Sequence, residues 1–191
     1  GLTLSILLGS GVVVAADFNK GLKAAQSGDF KTALAEWAPL AEQGHADAQY
    51  NLAFMYNMGD GVPKNDKTAV KWYTKAAKQG LAKAQYSLGV IYSRGDGVLK
   101  NDKAAVNWYT KAAEQGLVNA QYNLGLMYSM TGIPQNDKTA VKWLTKGAEQ
   151  GHASAQSTLA TYYEYGVGIL MDNRRAYMWY NLAGHNGEEK S

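Results

Sequence analysis

The chain repeats one segment, HADAQYNLAFMYNMGDGVPKNDKTAVKWYTKAAKQG, which spans residues 45–80. The same pattern returns at residues 81–116 and 117–151, and more loosely at residues 152–187. The four units are therefore 36, 36, 35 and 36 residues long. A fixed period of this length is typical of proteins built from stacked repeats, in which each unit packs only on its neighbours. The period predicts the architecture before any local pattern is considered.

Each unit is predicted to form two helices joined by a loop. The first spans about residues 46–58, because its apolar residues recur at helical spacing and share one face. In the first unit the members of that face are Ala48, Leu52, Met55 and Tyr56. Gly59 and Pro63 lie in the following loop, where glycine permits a positive φ and proline cannot continue a helix. Asn65 or Asp66 then offers a side-chain oxygen that caps the second helix.

The second helix carries its own apolar face and ends at a glycine. In the first unit that face is Ala69, Val70, Tyr73, Ala76 and Ala77, followed by Gly80. Small residues recur on the first helix at Ala48, Ala84, Ala120 and Ala155, and at Ala53, Gly89, Gly125 and Ala160. Large residues recur there at Leu52, Leu88, Leu124 and Leu159, and at Tyr56, Tyr92, Tyr128 and Tyr163. Small residues let helices approach closely, so the pattern predicts hairpins that bury their apolar faces against one another.

These motifs resemble the Sel-one-like repeat (SLR), a relative of the tetratricopeptide repeat with a longer loop between its helices. In the second unit the resemblance rests on AKAQYSLG at residues 82–89, the turn YSRGDGV at residues 92–98, the pair Trp108 and Tyr109, and AAEQG at residues 112–116. The resemblance implies an all-α solenoid with a right-handed superhelical twist. It also implies that the first helices line a concave surface, which meets other proteins or peptides.

The segments that flank the four units are predicted to have different roles. Residues 17–44 form an N-terminal capping hairpin, in which Trp37 takes the position of Tyr73 rather than that of Trp72. Terminal repeats are often atypical, because they must present a wettable face to solvent. Residues 188–191 form a polar tail.

Residues 1–16 include the uncharged, mostly apolar run LTLSILLGSGVVVAA, which ends in the small residues Ala15 and Ala16. The run is short for a membrane span, and its composition is typical of the apolar part and cleavage site of a secretory signal. We therefore predict a truncated signal peptide, a periplasmic or secreted bacterial protein, and no stable membrane insertion after cleavage. The alternatives are a native apolar helix packed on the first hairpin and a lipid-facing anchor.

The composition argues against several classes of function. The chain has 191 residues, a formal net charge of +3 and no cysteine. Its lysines and arginines are spread over every unit, so no dense basic patch indicates nucleic-acid binding. The lack of cysteine excludes disulfides and a thiol nucleophile. We predict a monomeric chain whose partner is a protein or peptide.

The positions that differ between units form one stripe along the first helix, at i, i+4, i+7 and i+11. The stripe comprises Asp47, Asn51, Phe54 and Met58; Lys83, Ser87, Val90 and Arg94; Asn119, Asn123, Leu126 and Met130; and Ser154, Thr158, Thr161 and Tyr165. Apolar side chains within a polar frame suit the recognition of a protein or peptide. We predict that these residues form the partner-binding groove. The alternative is that Phe54, Val90 and Leu126 pack between units.

A calcium site in the loops is a weaker interpretation. Asp60, Asn65 and Asp66 have oxygens of the type that calcium binds. The third unit lacks the equivalent of Asp60, however, and turn and cap roles explain all three residues. We predict no metal site and no cofactor.

Catalysis is also poorly supported. His45, His152 and His185 are the only histidines, and a linear stack does not bring all three together. His45 and His152 stand in the position after a helix that Leu81 fills in the second unit, so they are interpreted as surface or spacer residues. We predict no catalytic residue.

The sequence thus predicts a non-catalytic scaffold or adaptor of the bacterial cell envelope, which binds a protein or peptide in its concave groove. One alternative is an immunity protein that neutralises a secreted toxic effector, which a neighbouring toxin gene would favour. Another alternative is an enzyme that acts on the cell wall, for which the sequence offers no set of catalytic residues.

Overall fold

The computed structural model describes residues 16–129 and 136–188. The helices, in chain order, are α1 (Phe18–Gln26), α2 (Phe30–Glu42), α3 (Ala46–Met58), α4 (Asp66–Lys78), α5 (Ala82–Arg94), α6 (Asp102–Glu114), α7 (Val118–Ser129), α8 (Asp137–Glu149), α9 (Ala153–Tyr165) and α10 (Asn173–Glu188). These ten helices, with no strand, make up the regular structure of the described residues. The predicted all-α class is confirmed.

The helices form successive hairpins, from α1–α2 to α9–α10, stacked in chain order. All extensive contacts between helices join elements that are adjacent in the sequence, within a hairpin or between one hairpin and the next. A closed bundle would need contacts between distant helices, so the arrangement is an α-solenoid. This architecture agrees with the prediction from the repeat period.

Several predictions for the ends and for one loop fall outside the described residues. The signal-peptide prediction and the polar-tail prediction concern segments that lie almost entirely outside them, and the stripe residue Met130 lies outside them as well. Within the described residues, no helix combines the length and the apolar character that crossing a bilayer requires.

Asparagine begins the second helix of three units. The Asn65 side-chain oxygen accepts a hydrogen bond from the Thr68 backbone N–H at 3.0 Å. Asn101 and Asn136 accept the equivalent bond from the residue three positions further on. Such a cap satisfies a backbone donor that the first turn of a helix leaves free. Asp66 is instead the first residue of α4, where the positive end of the helix dipole stabilises its charge.

Two histidines cap first helices in the same way. Nδ1 of His45 accepts a hydrogen bond from the Ala48 N–H at 3.2 Å, and its ring stacks on Phe18 with the centroids 4.9 Å apart. His152 caps α9 with a bond of 3.1 Å and stacks on Tyr122 at 4.7 Å. His45 is exposed, as the surface interpretation expects, and the structure adds that each of the two residues caps a helix and contacts the preceding hairpin.

Glycine lets a first helix approach the second helix of its own hairpin. A Cβ atom added at Gly89 would overlap the ring of Tyr109, and one added at Gly125 would lie 2.7 Å from Cγ of Leu144. Neither approach is possible for a larger residue without displacement of its neighbour. The recurring small residues are therefore required for close packing.

A buried glutamine ties each repeated first helix to two other helices. Gln85 is 5% exposed, and its Nε2 donates a hydrogen bond to the Ala77 carbonyl of the preceding hairpin at 3.1 Å. Its Oε1 accepts a hydrogen bond from Gln115 Nε2, in its own hairpin, at 2.8 Å. The equivalent residues are Gln49, Gln121 and Gln156, whose Oε1 atoms accept from Gln79, Gln150 and Asn186. We call Gln49, Gln85, Gln121 and Gln156 the glutamine ladder.

Loss of one ladder residue should destabilise the stack. Gln85→Leu removes two hydrogen bonds, one to the Ala77 carbonyl and one from Gln115 Nε2, although each of these groups keeps another partner. We therefore expect the free energy of unfolding to fall by about 1–3 kcal/mol. The matched control is Gln43→Leu, since Gln43 is an exposed glutamine at the end of α2 that does not belong to the ladder. Urea unfolding followed by circular dichroism measures both variants. Equal losses in the two would contradict the role of the ladder.

The glycine positions make a second stability prediction. Gly89→Ala should lower the free energy of unfolding by about 1–3 kcal/mol, because the added methyl group overlaps Tyr109. Gly184→Ala is the control, since it lies within α10 and a Cβ there meets nothing within 4 Å. That change should raise stability by up to about 1 kcal/mol. Thermal unfolding of both proteins tests the contrast, and a tolerated Gly89→Ala would refute it.

Candidate protein-binding groove

Pockets open between successive first helices of the stack. Each pocket is lined by residues of two successive first helices and by one aromatic residue of the second helix that lies between them in the chain. That residue is Trp37 between α1 and α3, Tyr73 between α3 and α5, and Tyr109 between α5 and α7. All three are buried, with exposures of 4%, 3% and 3%. An aromatic residue at the same position of the repeat therefore lines an equivalent pocket in three successive hairpins.

The three pockets differ in chemistry. The first pocket, between α1 and α3, has a volume of about 330 Å³ and is mostly apolar, with Ala25, Phe30, Phe54 and Met55 in its wall. The second, between α3 and α5, has a volume of about 270 Å³ and is lined by Tyr50, Phe54, Asn57, Tyr86 and Ser87 among others. The third, between α5 and α7, has a volume of about 410 Å³ and contains Arg94, Lys100, Asp102, Asn123 and Leu126.

Shared residues join the pockets into one surface. Phe54 lines both the first pocket and the second. Tyr86, Val90 and Arg94 line both the second pocket and the third. We call the three pockets together the groove. It runs across three consecutive hairpins and their neighbour, so a ligand can contact several repeats at once.

Part of the predicted stripe lines the groove. These residues are Asn51, Phe54, Ser87, Val90, Arg94, Asn123 and Leu126. Phe54 is 44% exposed, whereas Val90 and Leu126 are half-buried. Val90 packs against a buried cluster that includes residues of the next hairpin and also faces the groove, so for this residue the two interpretations are not exclusive.

The other described stripe residues lie outside these pockets. Asp47 and Lys83 form an ion pair of 2.7 Å between two first helices. Asn119 and Ser154 line a separate depression of about 310 Å³ beside the His152 cap. The remaining members are Met58, Thr158, Thr161 and Tyr165, of which Met58 and Tyr165 are 57% and 67% exposed. Their participation in binding stays a prediction.

Polar stripe residues also hold the buried tyrosines. Asn123 Nδ2 donates hydrogen bonds to the hydroxyl groups of Tyr109, at 3.3 Å, and Tyr86, at 3.4 Å. Burial raises the pKa of Tyr73 and of Tyr109, and hydrogen bonds to Ser87 and Asn123, respectively, oppose that rise. The polar stripe positions thus have a structural role as well as facing the groove.

The first pocket lacks this tyrosine. Trp37 fills the slot and donates its indole N–H to the carbonyl of Phe18 at 3.2 Å. Asn51 Nδ2, at the position of Asn123 Nδ2, is buried and makes no hydrogen bond within the described residues. The sequence predicts the position of Trp37 correctly. The unpaired amide is its consequence, because the indole cannot replace the phenol hydroxyl.

The charged residues near the groove differ in whether they form ion pairs. Lys83 pairs with Asp47, and Lys100 Nζ lies 3.7 Å from Asp102 Oδ1. Arg94 is exposed and takes part in none of the ion pairs among the described residues. The third pocket therefore carries an uncompensated positive charge.

The part of the chain that the structure describes contains no group of three or more His, Asp or Glu side chains placed to hold a metal ion. Two of the three loop residues considered for calcium already have partners. Asn65 caps α4, and Asp66 Oδ1 accepts a hydrogen bond from Asn57 Nδ2 at 3.2 Å. The groove offers shape, apolar surface and hydrogen-bonding groups, which are the properties of a binding surface.

The repeat units match a known family. The model described as Sel1 repeat matches residues 46–81, 82–117, 118–152 and 153–188. The chain belongs to the Sel1 repeat family. The matched units begin one residue later than the units defined from the sequence, and they contain the same hairpins. Sel1 repeats typically mediate contacts between proteins.

Solved structures of other Sel1 repeat proteins have the same fold. The chain is 34% identical to c5321, a protective antigen of uropathogenic Escherichia coli, with a TM-score of 0.86 over 89% of this chain and 38% of that one. It is 38% identical to a Sel1 repeat protein from Oxalobacter formigenes, with a TM-score of 0.82 over 87% of this chain and 71% of that one. The chain thus spans well under half the length of c5321.

A more distant likeness shows the fold alone. The immunity protein PA5088 from Pseudomonas aeruginosa is 22% identical, with a TM-score of 0.54 over 92% of this chain and 68% of that one. A comparison with curated proteins found no significant match.

The buried tyrosines of this Sel1 repeat stack predict a dependence of stability on alkaline pH. Because folding raises the pKa of Tyr73, its contribution to stability is fully present below the unfolded pKa of about 10 and is lost as the pH rises from that value through the higher folded pKa. Between about pH 10 and pH 11, the wild-type free energy of unfolding should therefore fall faster than that of Tyr73→Phe, by up to about 1.4 kcal/mol per pH unit. Urea unfolding across this range measures the difference, and parallel curves would contradict it.

Proposed function

We propose that this Sel1 repeat chain is a non-catalytic scaffold or adaptor of the bacterial cell envelope, which binds a protein or peptide in its groove. The observation that carries the proposal is the continuity of the groove across the repeats. Residues that the packing leaves free to vary line three joined pockets, so neighbouring repeats present different side chains to one ligand.

The chemistry of the groove supports a polypeptide partner. Phe54 lines the groove, and Met58 lies outside it, one turn further along the same face of α3. Both are exposed, and aromatic and methionine residues are enriched in the buried centres of protein interfaces. Tyr50, Tyr73 and Tyr86 add flat apolar walls with hydroxyl groups at their ends. Side chains of an extended peptide can enter the pockets while its backbone binds the polar groups between them.

The packing of the stack supports binding without large rearrangement. The ladder and the close glycine contacts hold consecutive first helices at fixed positions. A surface that is already ordered loses little conformational entropy when it binds, so more of the interaction energy appears as affinity. This is the property that a scaffold requires.

The envelope location rests on residues 1–16, whose apolar run and small C-terminal residues are typical of a secretory signal. The narrower role of an immunity protein would use the same groove. The likeness to PA5088 is one of fold, so it does not favour that role over a general binding function. We therefore propose the general function.

Site-specific crosslinking tests the proposal directly. The photoreactive amino acid p-benzoylphenylalanine replaces Phe54 in the groove or, as the control, Leu99, a loop residue that is 91% exposed. In the cell that encodes this protein, light should produce one adduct of defined mass from position 54 in the envelope fraction. No adduct should form from position 99.

A blocking variant controls for chance collisions. Val90→Asp places a charge on the wall shared by the second and third pockets, and should reduce the adduct formed at position 54. Circular dichroism establishes that this variant folds. Equal crosslinking from positions 54 and 99, or none from position 54, would count against groove binding. An adduct found solely in the cytoplasm would count against the envelope location.

A further inference from the structure

We propose that the third pocket binds the carboxylate of an acidic side chain within a partner peptide, and that Arg94 is its ionic contact. This inference rests on the proposed binding function and specifies the chemistry of the partner. Three features carry it: the unpaired charge of Arg94, the donors beside it, and the position of Arg94 between two pockets.

The charge of Arg94 has no counterpart among the described residues. The third pocket contains two cations, Arg94 and Lys100, and one carboxylate, that of Asp102. The Asp102 carboxylate already lies 3.7 Å from Lys100. An incoming carboxylate would therefore neutralise Arg94 without displacing an existing ion pair.

The groups around Arg94 suit the side chain of an acidic residue. A guanidinium presents its N–H groups in a planar fork that matches the two oxygens of a carboxylate. Asn123 Nδ2 lies in the same pocket, and its bonds to the tyrosine hydroxyls are long, at 3.3 and 3.4 Å. It is thus a second donor that a carboxylate oxygen can share. Val90 and Leu126 form an apolar wall for the methylene groups of the acidic residue.

The position of Arg94 connects the third pocket to the rest of the groove. Arg94 lines the second pocket as well as the third, so a peptide bound there continues in the groove towards Phe54. Asp96 lines the second pocket and repels an acidic residue there. The peptide should therefore place an acidic residue in the third pocket and a neutral, apolar residue in the second.

Selection from a displayed library of random heptapeptides tests this inference. Wild type, Arg94→Glu and the control Lys71→Glu are panned in parallel, since Lys71 is an exposed cation of α4 that lines none of the three pockets. Wild type and Lys71→Glu should enrich peptides in which an internal Asp or Glu neighbours an apolar residue. Arg94→Glu should lose that preference and enrich Lys or Arg at the same position.

The dissociation constant is then measured for one selected peptide and for an analogue in which Gln replaces Glu or Asn replaces Asp. On wild type the analogue should bind at least about tenfold more weakly at low salt, and the difference should vanish on Arg94→Gln. Circular dichroism establishes that each variant folds. Amidation of the peptide C-terminus should leave the affinity unchanged, and a large loss on amidation would overturn the assignment to an internal side chain.

The remaining outcomes separate this inference from the proposed function. Peptides that require Phe54 but carry no acidic residue would overturn the carboxylate site and leave groove binding intact. Peptides that bind equally well to wild type, Arg94→Glu and Phe54→Asp would contradict both.

Discussion

The structure depends on hydrogen bonds that a buried glutamine makes in every repeat. Each ladder residue donates to a carbonyl near the end of the preceding second helix and accepts from the residue that follows the second helix of its own hairpin, or from Asn186 within α10. The Ala77 carbonyl, for example, accepts from both Gln85 and the Gly80 N–H. A buried amide left unpaired is costly, so each hairpin is stable in one register relative to the next.

Fixed register explains how variable residues come to form a groove. The ladder and the small residues determine the spacing of the first helices. Tyr73 and Tyr109, which share one position of the repeat, form the inner wall of the pockets between those helices. Stripe residues can then differ between units, although some of them, such as Asn123 and the Asp47–Lys83 pair, also hold neighbouring helices together. The first pocket shows the limit of that freedom, since Trp37 replaces a tyrosine and the Asn51 amide finds no hydrogen-bond partner in the part of the chain that the structure describes.

The period and its apolar faces were enough to predict the fold, because they recur in every unit. The position of Trp37 was also predictable, since counting residues back from the later units aligns it with Tyr73. The ladder was missed because a single glutamine is normally a surface residue. Its recurrence on the buried side of each first helix was the available signal. The caps made by His45 and His152 were missed because capping depends on the backbone at the helix start.

The groove was predicted in part, for a related reason. Helical spacing places Phe54 and Val90 on one stripe, but it does not show that their neighbours enclose pockets. The net charge of the third pocket depends on which ion pairs form. Lys100 reaches Asp102, whereas none of the ion pairs found among residues 16–129 and 136–188 includes Arg94. Such pairing depends on the conformations of side chains, which a repeat pattern in the sequence does not determine.

A double-mutant cycle on Gln85 and Gln115 tests the ladder most directly. The two residues are changed to alanine singly and together, and the free energy of unfolding is measured for all four proteins. If the bond between them links helices as described, the double variant should be more stable than the sum of the single losses predicts, by about 0.5–3 kcal/mol. Additivity within about 0.3 kcal/mol would show that the two side chains do not stabilise the stack together.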